Sequence, residues 1–172
     1  IKSNIDLFLE TLQFEKRYSE HTITAYKNDL YVFADYVEIE LGIESIDQVN
    51  RSAVSSFIAS LSELGIQPRT LNRKLSSIQS FFEWAIRNDV IKQNPARGVK
   101  RPRTGSALPS VVRIESIDQL FSEVEFTEGF IGLRDRLILN TLYACGLRRQ
   151  ELIDLTIDSI NDSDRTIKVK GK

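Results

Sequence analysis

The sequence predicts a mainly α protein in two parts, a four-helix domain followed by the opening of a mixed α/β domain. Three observations carry that prediction. Between Ile5 and Ala85, apolar residues recur at three- and four-residue spacing in four successive stretches, the signature of helices that each bury one face. Gly42, Gly65 and Pro95 punctuate those stretches. Near the other end, Thr166-Ile167-Lys168-Val169-Lys170 alternates β-branched and basic side chains, a strand pattern.

Composition limits the chemistry. With 172 residues, 41% apolar and 27% charged, the chain can bury a core as one domain or two small ones. It holds no apolar run of membrane-spanning length and no basic-apolar leader, so a cytoplasmic protein without a membrane partner is expected. One cysteine forms no internal disulfide, and a single histidine leaves no zinc site. No metal or other cofactor is expected, and arginine, lysine, glutamate and hydroxyl groups must carry the function. Net charge is only −1, yet residues 1–50 hold four Lys or Arg against ten Asp or Glu, whereas residues 51–103 hold ten against three. Such segregation places a positive face on a nearly neutral molecule, unless the basic side chains point in different directions.

Ile5, Phe8, Leu9 and Leu12 define a first short helix. Ser19 through Thr22 starts a second, whose stripe runs Ile23, Tyr26, Leu30, Phe33, Val37 and Leu41 and closes at Gly42. His21, with no cysteine, second histidine or acidic cluster at ligand spacing, reads as a cap or surface residue. A third helix starts after Asn50, buries Val54, Phe57, Ile58 and Leu61, and ends at Leu64-Gly65.

Pro68 precedes a fourth helix with the stripe Leu71, Leu75, Ile78, Phe82 and Ala85. Arg69, Arg73, Ser76 and Ser80 share another face, where long cations reach a duplex backbone and hydroxyls donate to its oxygens. Thr70, Arg73, Lys74, Ser76 and Ser77 are the candidate contacts to backbone or base edge. The competing reading is a solvated helix face with no partner. Trp84, after Phe81 and Phe82, reads as core rather than as a base-stacking platform, which requires an exposed ring.

Asn94-Pro95-Ala96 ends the helical domain, assigned to residues 1–97. Residues 98–112 read as an interdomain linker, rich in Gly and Pro and basic in its first half, where Lys100, Arg101 and Arg103 are further candidates for lying along DNA. The second domain, 113–172, begins with a short helix capped by Ser116 and containing Ile117, Leu120, Phe121 and Val124. After Gly132, the apolar run through Leu137, Ile138, Leu142 and Cys145 predicts a buried helix. Cys145 reads as core, since no partner base accompanies it.

That helix leads into Ala144-Cys145-Gly146-Leu147-Arg148-Arg149-Gln150-Glu151-Leu152-Ile153-Asp154-Leu155. Glycine breaks the pattern, and Arg148 stands three residues before Glu151, a spacing that makes side chains neighbours on a helix. A guanidinium fixed there can fork onto a phosphate, steadied by the acid. The plain alternative is a solvent-exposed ion pair after a glycine cap. Asp158, Asn161 and Asp162 mark a turn before the terminal strand, Gly171 and Lys172.

The segment Cys145-Gly146-Leu147-Arg148-Arg149-Gln150-Glu151-Leu152 resembles the first-arginine box of the tyrosine recombinases and integrases, Thr-Gly-Leu-Arg followed by a variable residue, Ser, Glu and Leu. Cys145 and Gln150 depart from it without removing the arginine or the acid. Ser19, Thr22, Tyr26, Asp29, Leu30 and Phe33 resemble recurrent positions of that family's core-binding domain. Leu71-Asn72-Arg73-Lys74-Leu75-Ser76-Ser77-Ile78 resembles its fourth helix. The likeness is greatest to Xer-type recombinases and covers essentially the whole chain.

The resemblance implies a four-helix, SAM-like core-binding domain followed by the truncated start of a mixed α/β tyrosine recombinase catalytic domain, the two forming a clamp on a duplex recombination site. Arg148, supported by Glu151, would stabilise charge on the scissile phosphate. Lys172, matching a Gly-Lys pair that opens a β-hairpin, would protonate the leaving deoxyribose oxygen, with Lys168 and Lys170 as alternative phosphate contacts. The resemblance also implies a phosphotyrosyl link to DNA, formed by a tyrosine in a later part of the catalytic domain that these residues do not include. Tyr18, Tyr26, Tyr31, Tyr36 and Tyr143 do not match its context, so the chain by itself is expected to be inactive. Further expected partners are full-length protomers in a synaptic tetramer and a partner recombinase or regulatory protein, at the bacterial nucleoid. Chromosome-dimer resolution is the expected role; the alternatives are a mobile-element or phage integrase, a non-catalytic DNA-binding regulator and a helical protein-interaction module.

Overall fold

A computed structural model describes residues 1–105 and 114–169, with 114–118 described as backbone. The chain divides into two compact units, Ile1–Ala107 and Leu108–Lys172.

The first unit is the four-helix domain: α1 Lys2–Phe14, α2 Glu20–Ile39, α3 Arg51–Glu63 and α4 Pro68–Arg87. Helices α2, α3 and α4 start where side-chain chemistry dictates. The Ser19 hydroxyl accepts the Thr22 N–H and caps α2, and Asn50 Oδ1 accepts the Ala53 N–H at 3.0 Å and caps α3. Pro68 opens α4 at a position that needs no N–H. Gly65, at φ +78°, takes the left-handed turn that frees the chain from α3. Leu41 falls beyond the end of α2 and is exposed, which shortens the expected stripe by one residue.

The predicted apolar stripes converge in one core. Ile5, Phe8 and Leu12 of α1 meet Leu30, Phe33 and Val37 of α2, Val54 and Phe57 of α3, and Leu75, Ile78, Phe81 and Phe82 of α4. Phe33 packs edge-on against Phe57 and Phe82, with ring centres 5.2 and 6.1 Å apart. Trp84 lies at the border of this core, as its sequence context predicts. Its ring stacks on Phe81 and its Nε1–H donates to Thr11 Oγ1 at 3.1 Å, which satisfies the polar edge of a half-buried indole.

The segment after α4 is bound to it. Asn94 Nδ2 donates to the Gln79 carbonyl at 3.2 Å, and Gln79 Nε2 donates to the carbonyl of buried Ala96 at the same distance. Val99 is buried, Arg51 donates to the Gly98 carbonyl, and Asn72 Nδ2 donates to the Pro102 carbonyl at 2.9 Å. The basic first half of the expected linker, residues 98–102, is therefore a strap along α4 rather than a free tether. The rest of the expected 98–112 linker falls largely outside the described residues.

The second unit comprises α5 Ile114–Glu123, α6 Phe130–Cys145, α7 Arg149–Ile153 and a hairpin of β1 Ile160–Asn161 with β2 Thr166–Ile167. The strands pair antiparallel, Ile160 opposite Ile167 and Asn161 opposite Thr166, and Lys168 N–H extends the ladder to the Ser159 carbonyl at 2.8 Å. Helix α5 starts at Ile114, two residues ahead of the expected cap Ser116, because the apolar period of Ile117, Leu120 and Phe121 already includes Ile114. The expected burial of α6 is corrected. Among its described side chains, Phe130, Leu133, Leu137 and Tyr143 are exposed, Cys145 is exposed too, and Gly132 is its buried residue. Its apolar residues run round much of the helix, so no single stripe faces a neighbouring helix such as α7.

Gly132 is buried for a specific reason. A Cβ at that position would stand 1.7 Å from the Thr127 carbonyl oxygen, so only glycine lets the 124–129 turn lie against the first turn of α6.

Candidate nucleic-acid interface and arginine box

The basic face of α4 separates into an inner and an outer set. The divider is Asp29 of α2, a carboxylate only 1% exposed on the same face as Leu30 and Phe33. An ionised carboxylate inside a core is costly unless cations and hydrogen bonds converge on it. Three groups from a single turn of α4 do so: Lys74 Nζ donates to Oδ1 at 3.0 Å, Ser77 Oγ to Oδ2 at 3.0 Å, and Arg73 Nη1 to Oδ2.

Placement on the helix decides which of these still faces outward. Ser77 lies on the line through Arg73 and Phe81; Phe81 is fully buried and Ser77 is 3% exposed. The expectation of an outward Ser77 is thus corrected, and Lys74, with 14% of its side chain exposed, is turned inward with it. Arg73 has a side chain 50% exposed, which leaves other N–H donors of its guanidinium directed to solvent. Arg69, one turn before Arg73, is exposed, while Thr70 and Ser80 are half-buried.

Ser76 and Arg101 contact each other. Arg101 Nη1 donates to Ser76 Oγ at 3.2 Å and its Nη2 to Gln79 Oε1 at 2.7 Å, while Ser76 itself donates back to the Asn72 carbonyl at 2.9 Å. Lys100 and Arg103 flank this contact and are exposed. The outer face of the first unit therefore carries Arg69, Arg73, Lys100, Arg101 and Arg103, five cations that a phosphate can approach. Asp29, Asn72 and Gln79 are the organising residues that the sequence reading did not single out for a role. Asp29 at least had a signal, since an acid within an apolar stripe needs a cationic partner.

The arginine box is built at a helix junction. Gly146 adopts φ +63° and ends α6 with its N–H on the Leu142 carbonyl. Arg148 is extended and stands as the cap of α7, rather than within a helix. Glu151 at the third helical position reaches back: Oε2 accepts the Arg148 backbone N–H at 2.8 Å and Oε1 accepts Arg148 Nη1 at 2.6 Å. This is one half of a capping box, because an arginine side chain has no acceptor for the other half. The Arg148 backbone N–H, then its guanidinium, hold the Glu151 carboxyl below the usual glutamate range. The Arg148 side chain is 80% exposed, while that of Glu151 is 15% exposed. One acid thus fixes the base of the arginine and leaves most of its fork free.

Beside this pair lies a hollow of about 350 Å³ lined by Glu151, Asp154, Leu155, Ser159, Lys168 and Val169. Lys168 is exposed. Lys170 and Lys172 lie outside the described residues. Among the described residues no group of three His, Cys, Asp or Glu side chains could hold a metal ion, and no helix is long and apolar enough to cross a membrane.

The chain is thus a compact helical domain with a basic outer face, followed by a unit whose glycine-terminated helix presents a pinned arginine. The chain belongs to the tyrosine recombinase and phage integrase family: the phage integrase N-terminal SAM-like domain matches residues 5–89 and the phage integrase family domain matches residues 111–172. Among its relatives, tyrosine recombinase XerC of Oceanobacillus iheyensis is 35% identical over 98% of this chain and 54% of its own length. Tyrosine recombinase XerD of Staphylococcus haemolyticus is also 35% identical, over 98% of this chain and 56% of its own length. The chain thus spans little more than half the length of these relatives. In fold it is similar to the Tn1549 transposon integrase, solved in complex with circular intermediate DNA, at a TM-score of 0.71 and 21% identity over 97% of this chain and 53% of that one.

Proposed function

We propose that this chain is the duplex-gripping and phosphate-orienting part of a site-specific tyrosine recombinase, a protein that cleaves and rejoins DNA through a 3′-phosphotyrosyl intermediate. The observation that carries the reading is Arg148, pinned through its backbone and one guanidinium nitrogen by Glu151 while most of its side chain remains open. A guanidinium already oriented stabilises charge that develops on a phosphate without reorganising at the moment of reaction. Lys172 is proposed as the donor of a proton to the leaving deoxyribose oxygen, with Lys168 and Lys170 on neighbouring phosphates. The cations Arg69, Arg73, Lys100, Arg101 and Arg103 would hold the duplex by its backbone, with Thr70 and Ser80 supplying neutral donors and Ser76 steadying Arg101.

The Xer relatives, at 29–35% identity, support chromosome-dimer resolution as the biological setting, with full-length protomers assembling in a synaptic tetramer at the nucleoid. The likeness to the transposon integrase is one of fold and does not by itself favour mobile-element integration. Crosslinking the protein to its genomic sites distinguishes the two. Occupancy of one chromosomal locus is the expected outcome, and occupancy of the ends of a mobile element assigns integration instead. Mixed-sequence duplex binding by the chain tests the shared part of the reading. Binding that weakens steeply with salt is expected, and its absence removes the reading.

A further inference from the structure

Asp29 has no evident reason to be a carboxylate if its role is packing alone. It is buried on the apolar face of α2, where a well-packed hydrophobic residue of similar volume often stabilises as well as a buried ion pair does. Its partners all come from α4, and they differ in what they leave exposed. Lys74 and Ser77 are turned inward, whereas the Arg73 side chain remains half-exposed with only one of its terminal nitrogens on the acid.

We propose that Asp29 is a positioning residue for duplex binding: it anchors the Arg73 guanidinium so that the remaining N–H donors face a phosphate, while holding Lys74 and Ser77 out of the contact surface. This rests on the reading of α4 as the duplex-facing helix. An arginine loses rotamer freedom when it binds, and an anchor that removes this freedom beforehand lowers the cost of association. The charge effect has the opposite sign. Asp29 subtracts one unit from the local positive charge, so Coulomb attraction alone makes its neutralisation strengthen phosphate binding. Positioning makes the same neutralisation weaken it.

The test uses the whole chain and a fluorescein-labelled, mixed-sequence duplex at fixed salt, with wild type, Asp29→Asn, Arg73→Gln and the double variant. Asp29→Asn is expected to weaken binding about tenfold, the equivalent of one charge-assisted hydrogen bond, although the protein becomes more positive. In the Arg73→Gln background it is expected not to weaken binding further, since only the charge effect, which favours the duplex, is left. Asp29→Asn that binds as tightly as wild type or tighter, or that weakens binding equally without Arg73, overturns the proposal. Should Asp29→Asn fail to fold, Ser77→Ala reads the same coupling, because its hydroxyl donates to Asp29 from inside the domain. It is expected to weaken binding about threefold only when Arg73 is present, and an unchanged affinity overturns the proposal. A wild-type chain with no duplex affinity removes the underlying reading as well, a result distinct from all of these.

Discussion

Lys74 Nζ lies 3.0 Å from Asp29 Oδ1, a contact between two helices in which a lysine that the sequence offers to DNA is used inside the domain. The pair is asymmetric in exposure, with the acid at 1% and the lysine at 14%. Removing the acid therefore leaves a nearly buried ammonium without its counter-charge. Asp29→Ala is expected to cost about 3 kcal/mol in urea unfolding, the lower end for breaking a buried pair, because half-exposed Arg73 can turn to water. Lys74→Met, which removes the cation and keeps its stem, is expected to cost less. An Asp29→Ala variant as stable as wild type would show that the cluster contributes no net stability.

The same cluster shows what the sequence carries and what it conceals. The four helices of the first unit follow from period and punctuation, because each has one apolar face and α2, α3 and α4 add the start signals Ser19, Asn50 and Pro68. The direction of a polar side chain at the edge of that face does not follow, since Ser77 and Ser76 are adjacent and only their angle to α2 separates core from surface. The box around Arg148 was legible as a motif, but its capping geometry depends on Gly146 turning left-handed one residue before Leu147. Strand β1 was not legible, since Ile160–Asn161 lies among the turn residues Asp158, Asn161 and Asp162, and the strand expected over 166–170 pairs only at Thr166–Ile167. The exposure of α6 and of Cys145 was not legible either, because an apolar run predicts burial only where another element covers it.

Glu151 has a pH signature. Hydrogen bonds from Arg148 depress its carboxyl below the 4.5 of a free glutamate, so the stabilisation of α7 by this contact is complete above that value. It is lost as pH falls below 4.5 and through the depressed folded value. Carboxyl-carbon NMR is expected to place the Glu151 midpoint below 4.5. Arg148→Ala should return it only part of the way, because the backbone N–H of residue 148 is the larger cause and survives the substitution. A midpoint at the ordinary value would contradict the capping geometry.

Gly132→Ala forces a methyl carbon onto the Thr127 carbonyl. The expected cost is about 3 kcal/mol, the upper part of the range for overpacking. Hydrogen exchange should accelerate across residues 124–134 while amides of α2 and α4 remain protected. Unchanged exchange in that turn would mean that the close approach is relieved without cost.

The strap along α4 is held by Asn72, Gln79 and Arg101. Gln79→Ala removes the acceptor for Arg101 and the donor to Ala96. Limited trypsinolysis after Lys100 and Arg103 is expected to speed up about tenfold, the size of effect that one or two lost hydrogen bonds have on a local opening equilibrium. Cleavage at the wild-type rate would show that these side chains do not restrain the segment.

The measurement that bears most directly on the whole account is the salt dependence of duplex binding by the chain, in wild type and in Arg69→Gln and Arg73→Gln. With the five outward cations Arg69, Arg73, Lys100, Arg101 and Arg103 on α4 and the strap beside it, the plot of log affinity against log salt is expected to fall with a slope of about −3 or steeper, and each substitution to reduce that slope by about 1. A slope near zero, or one indifferent to both arginines, would contradict the assignment of α4 as the helix that meets DNA.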